Sequence, residues 1–124
     1  MNININGLSQ YSSSLLANYA LKSEIDIIGI TETKRNQVHP KEFPGYEATS
    51  RRSATFMSWQ GGVALFWRTE KTGTPIDGFS NGEIDEVFVI FKLLGRTFLV
   101  GCFYIKPEQK HENETLKNIF LKST

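Results

Sequence analysis

Apolar residues recur along this chain with two periods, and the switches between them predict its elements. Residues 3–5 read as a short strand, with Ile3 and Ile5 flanking Asn4, closed by the strong turn dipeptide Asn6-Gly7. Ser12, Ser13 and Ser14 offer N-cap hydroxyls, and Leu15, Leu16, Tyr19 and Ala20 follow at helical spacing. That pattern predicts a helix over residues 13–22. Residues 25–30 are β-branched and almost continuously apolar, as suits a strand covered on both faces. Residues 34–45 are polar, hold Pro40 and Pro44, and read as a loop.

Further along, residues 46–50 read as a short strand and 62–67 as an apolar one, and 72–82 as a turn-rich connection. The apolar runs 86–93 and 97–104 flank Leu94-Gly95-Arg96, which predicts a β-hairpin. Asn113 or Glu114 opens a last helix with Leu116, Ile119 and Phe120 on one face. The whole reads as mixed α/β. The sequence ends just after a helix that should lead back into a sheet, so we expect a truncated domain, with a complete small domain as the alternative.

Composition narrows the class. The 124 residues are 40% hydrophobic and 12% aromatic, enough apolar material for a packed core and too much for a disordered chain. No apolar run approaches the roughly 18 residues a membrane-spanning helix needs. Residues 1–7 lack the basic patch and apolar core of a signal peptide, and a single cysteine cannot form an internal disulfide. An intracellular, reducing environment is the expectation. With 14 Lys+Arg against 13 Asp+Glu, there is no basic excess of the kind strong DNA-binding modules carry. Any nucleic-acid role must rest on local charge or a bound metal.

Three polar residues sit where strands end, the rim at which α/β active sites gather. Glu32 follows the apolar strand directly, and a carboxylate there is a hard oxygen ligand suited to Mg²⁺; its plainer reading is a surface turn residue. Asn4 can orient a phosphate or a metal-bound water; on pattern alone it is a solvent-facing edge residue. Tyr104 can set a phenol against a phosphate oxygen, or serve as partial core. Arg51-Arg52, Lys34-Arg35 and Lys41 can reach a DNA backbone, although solvated loop charge is the commoner role. Trp59, Trp67, Phe56 and Phe66 can stack on bases but are better read as packing. Cys102 reads as a small buried hydrophobe, and Gly61-Gly62 as a device for starting a strand tightly. Asn113-Glu114-Thr115 matches a glycosylation sequon, which carries little weight without a secretion signal.

Taken in order, Asn4-Ile5-Asn6-Gly7-Leu8, Ile27-Ile28-Gly29-Ile30-Thr31-Glu32-Thr33-Lys34, Gly61-Gly62-Val63-Ala64-Leu65-Phe66 and Phe103-Tyr104-Ile105-Lys106-Pro107 resemble one known pattern. It is that of the endonuclease/exonuclease/phosphatase family, in the flavour of the endonuclease domain of non-LTR (LINE-type) retrotransposons. The resemblance implies a four-layered α/β sandwich, two mixed sheets face to face with helices outside. It implies a divalent metal, Mg²⁺ or Mn²⁺, that neutralises a phosphate while an activated water attacks. It further implies Glu32 as the metal carboxylate, Asn4 as part of the phosphate network, Tyr104 against the scissile phosphate, and DNA as the partner. A retrotransposon-type protein of this kind would work in the nucleus.

Two family segments are missing. Neither a Gly-Asp-Phe-Asn type segment nor a Ser-Asp-His type segment occurs, and His39 and His111 lack a suitable acid beside them. The resemblance therefore covers residues 1–124 as the N-terminal half of the domain, without its water-activating groups. Little or no nuclease activity is expected from these residues alone, and only weak metal binding. A non-enzymatic, transposon-derived binding protein is one alternative; a related phosphatase or RNA deadenylase is another. Truncation should expose apolar surface on the 86–104 hairpin, where the other half would pack. Size-exclusion chromatography across a concentration series should therefore show self-association, and a monodisperse monomer at all concentrations would contradict the half-domain reading.

Overall fold

The computed structural model describes residues 1–35, 38, 42–52, 61–78 and 84–105. The expected terminal helix and the sequon lie outside these residues, as do His39, Lys41, Phe56, Trp59 and His111. The elements run β1 (Asn2–Asn4), α1 (Gln10–Lys22), β2 (Ile27–Thr31), β3 (Tyr46–Arg51), β4 (Val63–Arg68), β5 (Gly73–Ile76), β6 (Asp85–Leu93) and β7 (Arg96–Tyr104). A four-stranded sheet has the order β1-β2-β4-β3, and a three-stranded sheet the order β5-β6-β7. β1 and β2 are parallel and every other pairing is antiparallel, so the first sheet is mixed.

Helix α1 starts earlier than its apolar spacing suggests. Ser9, not one of Ser12–14, is the N-cap: its hydroxyl accepts from the Ser12 N–H while the Ser12 hydroxyl accepts from the Ser9 N–H. This reciprocal pair satisfies two donors that the first turn otherwise leaves open. The buried face is also different. Ser13, Ala17 and Ala20 are buried, with Leu16 packed beside them, whereas Leu15 and Tyr19 are 54% and 57% exposed. Small side chains at these positions let the helix axis approach the sheet closely.

The strands are legible in their alternation. In β2 and β4, Ile28, Ile30, Ala64 and Phe66 face α1 and pack with Phe43, Tyr46 and Leu8. Phe43 stacks on Phe66 with centroids 4.0 Å apart. The opposite faces carry Ile27, Val63, Leu65 and Trp67, which meet Val87, Val89, Phe91 and Cys102 of the second sheet. Trp67 and Phe91 pack edge to face at 6.0 Å, and the Trp67 indole N–H donates to Glu47 at 2.9 Å. Phe66 and Trp67 are thus core, and each such side chain contributes roughly 1.5–3 kcal/mol of burial. β2 is covered on both faces as expected, although it begins at Ile27 rather than Ile25; β1 is likewise shifted, to Asn2–Asn4.

The 72–82 stretch is not a plain connection, because β5 lies within it and pairs with β6. Gly73 and Pro75 disguise it. An edge strand tolerates proline, and a side chain at Gly73 would collide with Phe91 and Trp67. The hairpin is as expected, turned by Leu94-Gly95 at φ 52° and 73°, the left-handed pair that a two-residue hairpin turn uses. Helix, mixed sheet and second sheet give three successive layers, in agreement with the α/β sandwich reading. On the outer face of the second sheet, Phe88 packs with Ile84, Ile76 and Ile105, while Leu99 and Phe103 are 39% and 37% exposed. Among the described residues no helix is long and apolar enough to cross a membrane.

Cys102 is the buried hydrophobe its surroundings suggested. It lies against Gly29, and its thiol donates to the Ile30 carbonyl at 3.7 Å. Burial pushes the thiol up from 9.0 to about 11. The unfolded chain therefore loses this proton first, so the stabilising contribution is complete below pH 9 and is lost as pH rises towards 11. Urea midpoints at pH 8 and pH 10.5 should fall more steeply for the wild type than for Cys102→Ala. Burial raises the Tyr46 phenol too, but that group is common to both proteins and cancels in the comparison.

Candidate functional site

The strand register brings the expected site residues to one rim. Asn4 closes β1 directly opposite Thr31, and Glu32 is the next residue of the chain. Thr31 in turn lies opposite Val63, the first residue of β4. Gly62, just before it, donates its N–H to Asp85 Oδ2 at 2.6 Å, and Asp85 is the register partner of Tyr104. Strand register and the Gly62–Asp85 bond thus relate Asn4, Thr31, Gly62, Asp85 and Tyr104 in series across the two sheets. By alternation Asn4 lies on the same face of β1 as Asn2, the side towards the second sheet. Tyr104 packs half-buried against the inter-sheet core.

The segment after β2 is tightly bound on both sides. Gly7 donates to the Glu32 carbonyl at 2.7 Å and Leu8 to the Thr33 carbonyl at 2.9 Å. On the other side Thr33 and Lys34 donate to the Gly62 and Gly61 carbonyls at 3.1 and 2.9 Å. Glu32 and Lys34 both adopt left-handed backbone, φ 59° and 58°, with the fully buried Thr33 between them. That conformation costs a non-glycine residue about 1–2 kcal/mol. Gly62 is itself at φ 94°, and a Cβ there would collide with Thr33 Oγ1 and come within 2.9 Å of the Lys34 nitrogen. Gly61-Gly62 thus does start β4 tightly, and it also forms one wall of this turn.

The side chains divide into structural and available. The Glu32 carboxylate and the Asn4 carboxamide make no hydrogen bond or ion pair among the described residues, and Asn4 is exposed. Arg35 is committed: its guanidinium grips Glu42 through two bonds of 2.6 Å, and that pairing holds its pKa above the ordinary value. This favours the plainer reading of Arg35 over phosphate contact. Arg51 lies opposite Val63, at the same rim. Asp85 and Glu86, both buried, are residues that patterning missed. A carboxylate heading an apolar run looks like a boundary charge, and only the contact with Gly62 reveals otherwise.

No three His, Cys, Asp or Glu side chains converge on one point among the described residues. Glu32 suits Mg²⁺ in kind, since that ion takes one or two carboxylates and completes its shell with water and substrate phosphate. In number it supplies one donor. The rim can therefore offer a carboxamide to a phosphate and a carboxylate to a cation.

The model of the endonuclease/exonuclease/phosphatase family matches residues 1–119. The chain belongs to that family. Members with solved structures share its fold at low identity. The endonuclease domain of TRAS1, a telomere-specific non-LTR retrotransposon, is 16% identical with TM-score 0.67, over 99% of this chain and 54% of that one. A mannosyl-6-phosphatase of Bacteroides thetaiotaomicron is 17% identical with TM-score 0.66, over 98% and 57%. An AP endonuclease from Archaeoglobus fulgidus is 15% identical with TM-score 0.64, over 99% and 51%. No curated protein sequence matches the chain. The chain spans about half the length of these family structures.

A left-handed glutamate held for its carboxylate leaves a signature in stability. Asn accepts this backbone more readily than Glu. Glu32→Asn should leave the folding free energy unchanged or raise it by up to about 1 kcal/mol, read from urea denaturation. A loss larger than that would mean that the Glu32 side chain is structural.

Proposed function

We propose that this chain is the N-terminal half of a divalent-metal-dependent phosphodiester hydrolase domain that nicks DNA in the manner of a non-LTR retrotransposon endonuclease. The observation that carries this reading is the rim, where Asn4, Glu32 and Tyr104 meet at the ends of their strands, with Glu32 and Asn4 uncommitted. Family membership and the likeness in fold to a retrotransposon endonuclease domain and an AP endonuclease support it.

In this reading Asn4 donates its carboxamide N–H to a phosphate oxygen, and the Tyr104 phenol donates to another. Glu32 would hold Mg²⁺ or Mn²⁺, which supplies charge neutralisation at the phosphate when bound. Arg51, at the same rim, contributes attraction to the DNA backbone that weakens with salt. The groups that activate water belong to the second half of the domain, which these 124 residues do not contain. The working site would lie in the nucleus, where chromosomal DNA is found. The outer face of the second sheet, with part-exposed Leu99 and Phe103, and the edge of β7, last strand of its sheet among the described residues, are where self-association of an isolated half would occur.

The phosphatase fold among the similar structures makes sugar-phosphate hydrolysis the second reading. Both are decided by joining the chain to a second half that carries the missing Asp-Asn and Asp-His segments. The joined domain should relax supercoiled plasmid in Mg²⁺, whereas the 124 residues alone leave it intact. Glu32→Gln should slow relaxation by roughly 10²-fold. Release of phosphate from a sugar phosphate with plasmid untouched would favour the phosphatase reading. Inertness towards both substrates would favour a non-enzymatic binding protein.

A further inference from the structure

The inner row of β6 reads Asp85, Val87, Val89, Phe91, so a fully buried carboxylate stands where the pattern calls for an apolar side chain. Burying a carboxylate is expensive unless it answers a specific need. Here the need is visible. The Gly62 N–H precedes the first β4 register pair, and Asp85 Oδ2 accepts it from the other sheet at 2.6 Å. The same two glycines hold, through their carbonyls, the amides of Thr33 and Lys34. Those residues bracket the end of a turn whose Glu32 and Lys34 are left-handed and need external restraint to remain so.

We propose that Asp85 is a positioning residue: by fixing the Gly62 amide it locks the turn that presents the Glu32 carboxylate at the rim. The inference rests on the reading of Glu32 as the site's metal carboxylate. Asp85 does not itself meet the phosphate in this scheme. It acts across the sandwich, so that the placement of Glu32 on the first sheet is set from the second. The two hydrogen bonds from Gly7 and Leu8 hold the turn from one side only. Without Asp85 the Gly61-Gly62 wall loses its anchor, and the left-handed residues relax.

The test uses the 124-residue chain. Amide hydrogen exchange is compared at Gly62, Thr33 and Lys34 and, as a reference, at Ile28 and Phe66, register partners within the β2–β4 ladder. Asp85→Ala should accelerate exchange in the turn at least about tenfold more than in the ladder, and Asp85→Asn, which keeps an acceptor, should restore most of the protection. Mn²⁺ alone serves as the second probe, through paramagnetic broadening of the amides near residue 32. Asp85→Ala should weaken its binding at least about threefold, and Glu32→Gln should abolish it. If Asp85→Ala fails to fold, Asp85→Glu, which keeps the charge but displaces the carboxylate, carries the same comparison. Unchanged protection at Thr33 and Lys34, or equal loss throughout, overturns the positioning role. Undiminished broadening in Glu32→Gln overturns the reading of Glu32, and it is told apart because the exchange effect of Asp85→Ala then stays confined to the turn.

Discussion

β4 is packed on both faces, and the rest of the molecule is arranged around that fact. Its Ala64 and Phe66 belong to the core beneath α1, while Val63, Leu65 and Trp67 belong to the core between the sheets. A strand buried twice over cannot shift by one residue without exchanging its two faces. Its register with β2 and β3 is therefore fixed by packing, and so is the level at which each neighbour ends. Asn4, Glu32 and Arg51 come to a common rim because β1, β2 and β3 are all paired, directly or through β2, to this one strand.

The rim then adds what packing alone does not give. Apolar contacts set the spacing between the sheets but say little about backbone conformation in the turns above them. That is settled by directed hydrogen bonds, from Gly7 and Leu8 on one side and to Gly61 and Gly62 on the other. The division is an economical one: a tolerant hydrophobic interior holds the level, and a small polar network holds the geometry. It also accounts for left-handed Asn6, Glu32 and Lys34 lying in these turns and not in the core.

Much of this was legible in the sequence, for identifiable reasons. The β6–β7 hairpin announced itself because alternation and a two-residue turn agree, and β2 because few other elements are so continuously β-branched. β5 was hidden by Gly73 and Pro75, residues that an edge strand admits and a propensity argument rejects. The start of α1 was obscured by three serines of equal capping ability, and the true cap, Ser9, is chosen by its reciprocal bond with Ser12. Asn4, Glu32 and Tyr104 were singled out by their motifs as expected site residues. Asp85 was not, because its partner lies 23 residues earlier and on the other sheet, and no local pattern encodes that contact.

The two sheets also occupy separate stretches of chain. Among the described residues the first sheet is built from residues 2–68 and the second from residues 73–104, with a short crossing at residues 69–72. On the ribosome, the described strands of the first sheet are synthesised before those of the second. Its inter-sheet face, with Val63, Leu65 and Trp67, must then wait uncovered until the hairpin follows. At about 5–20 residues per second that wait is on the order of seconds, long compared with the microseconds in which a hairpin closes. The order of synthesis, rather than the speed of folding, governs how long this apolar face meets water.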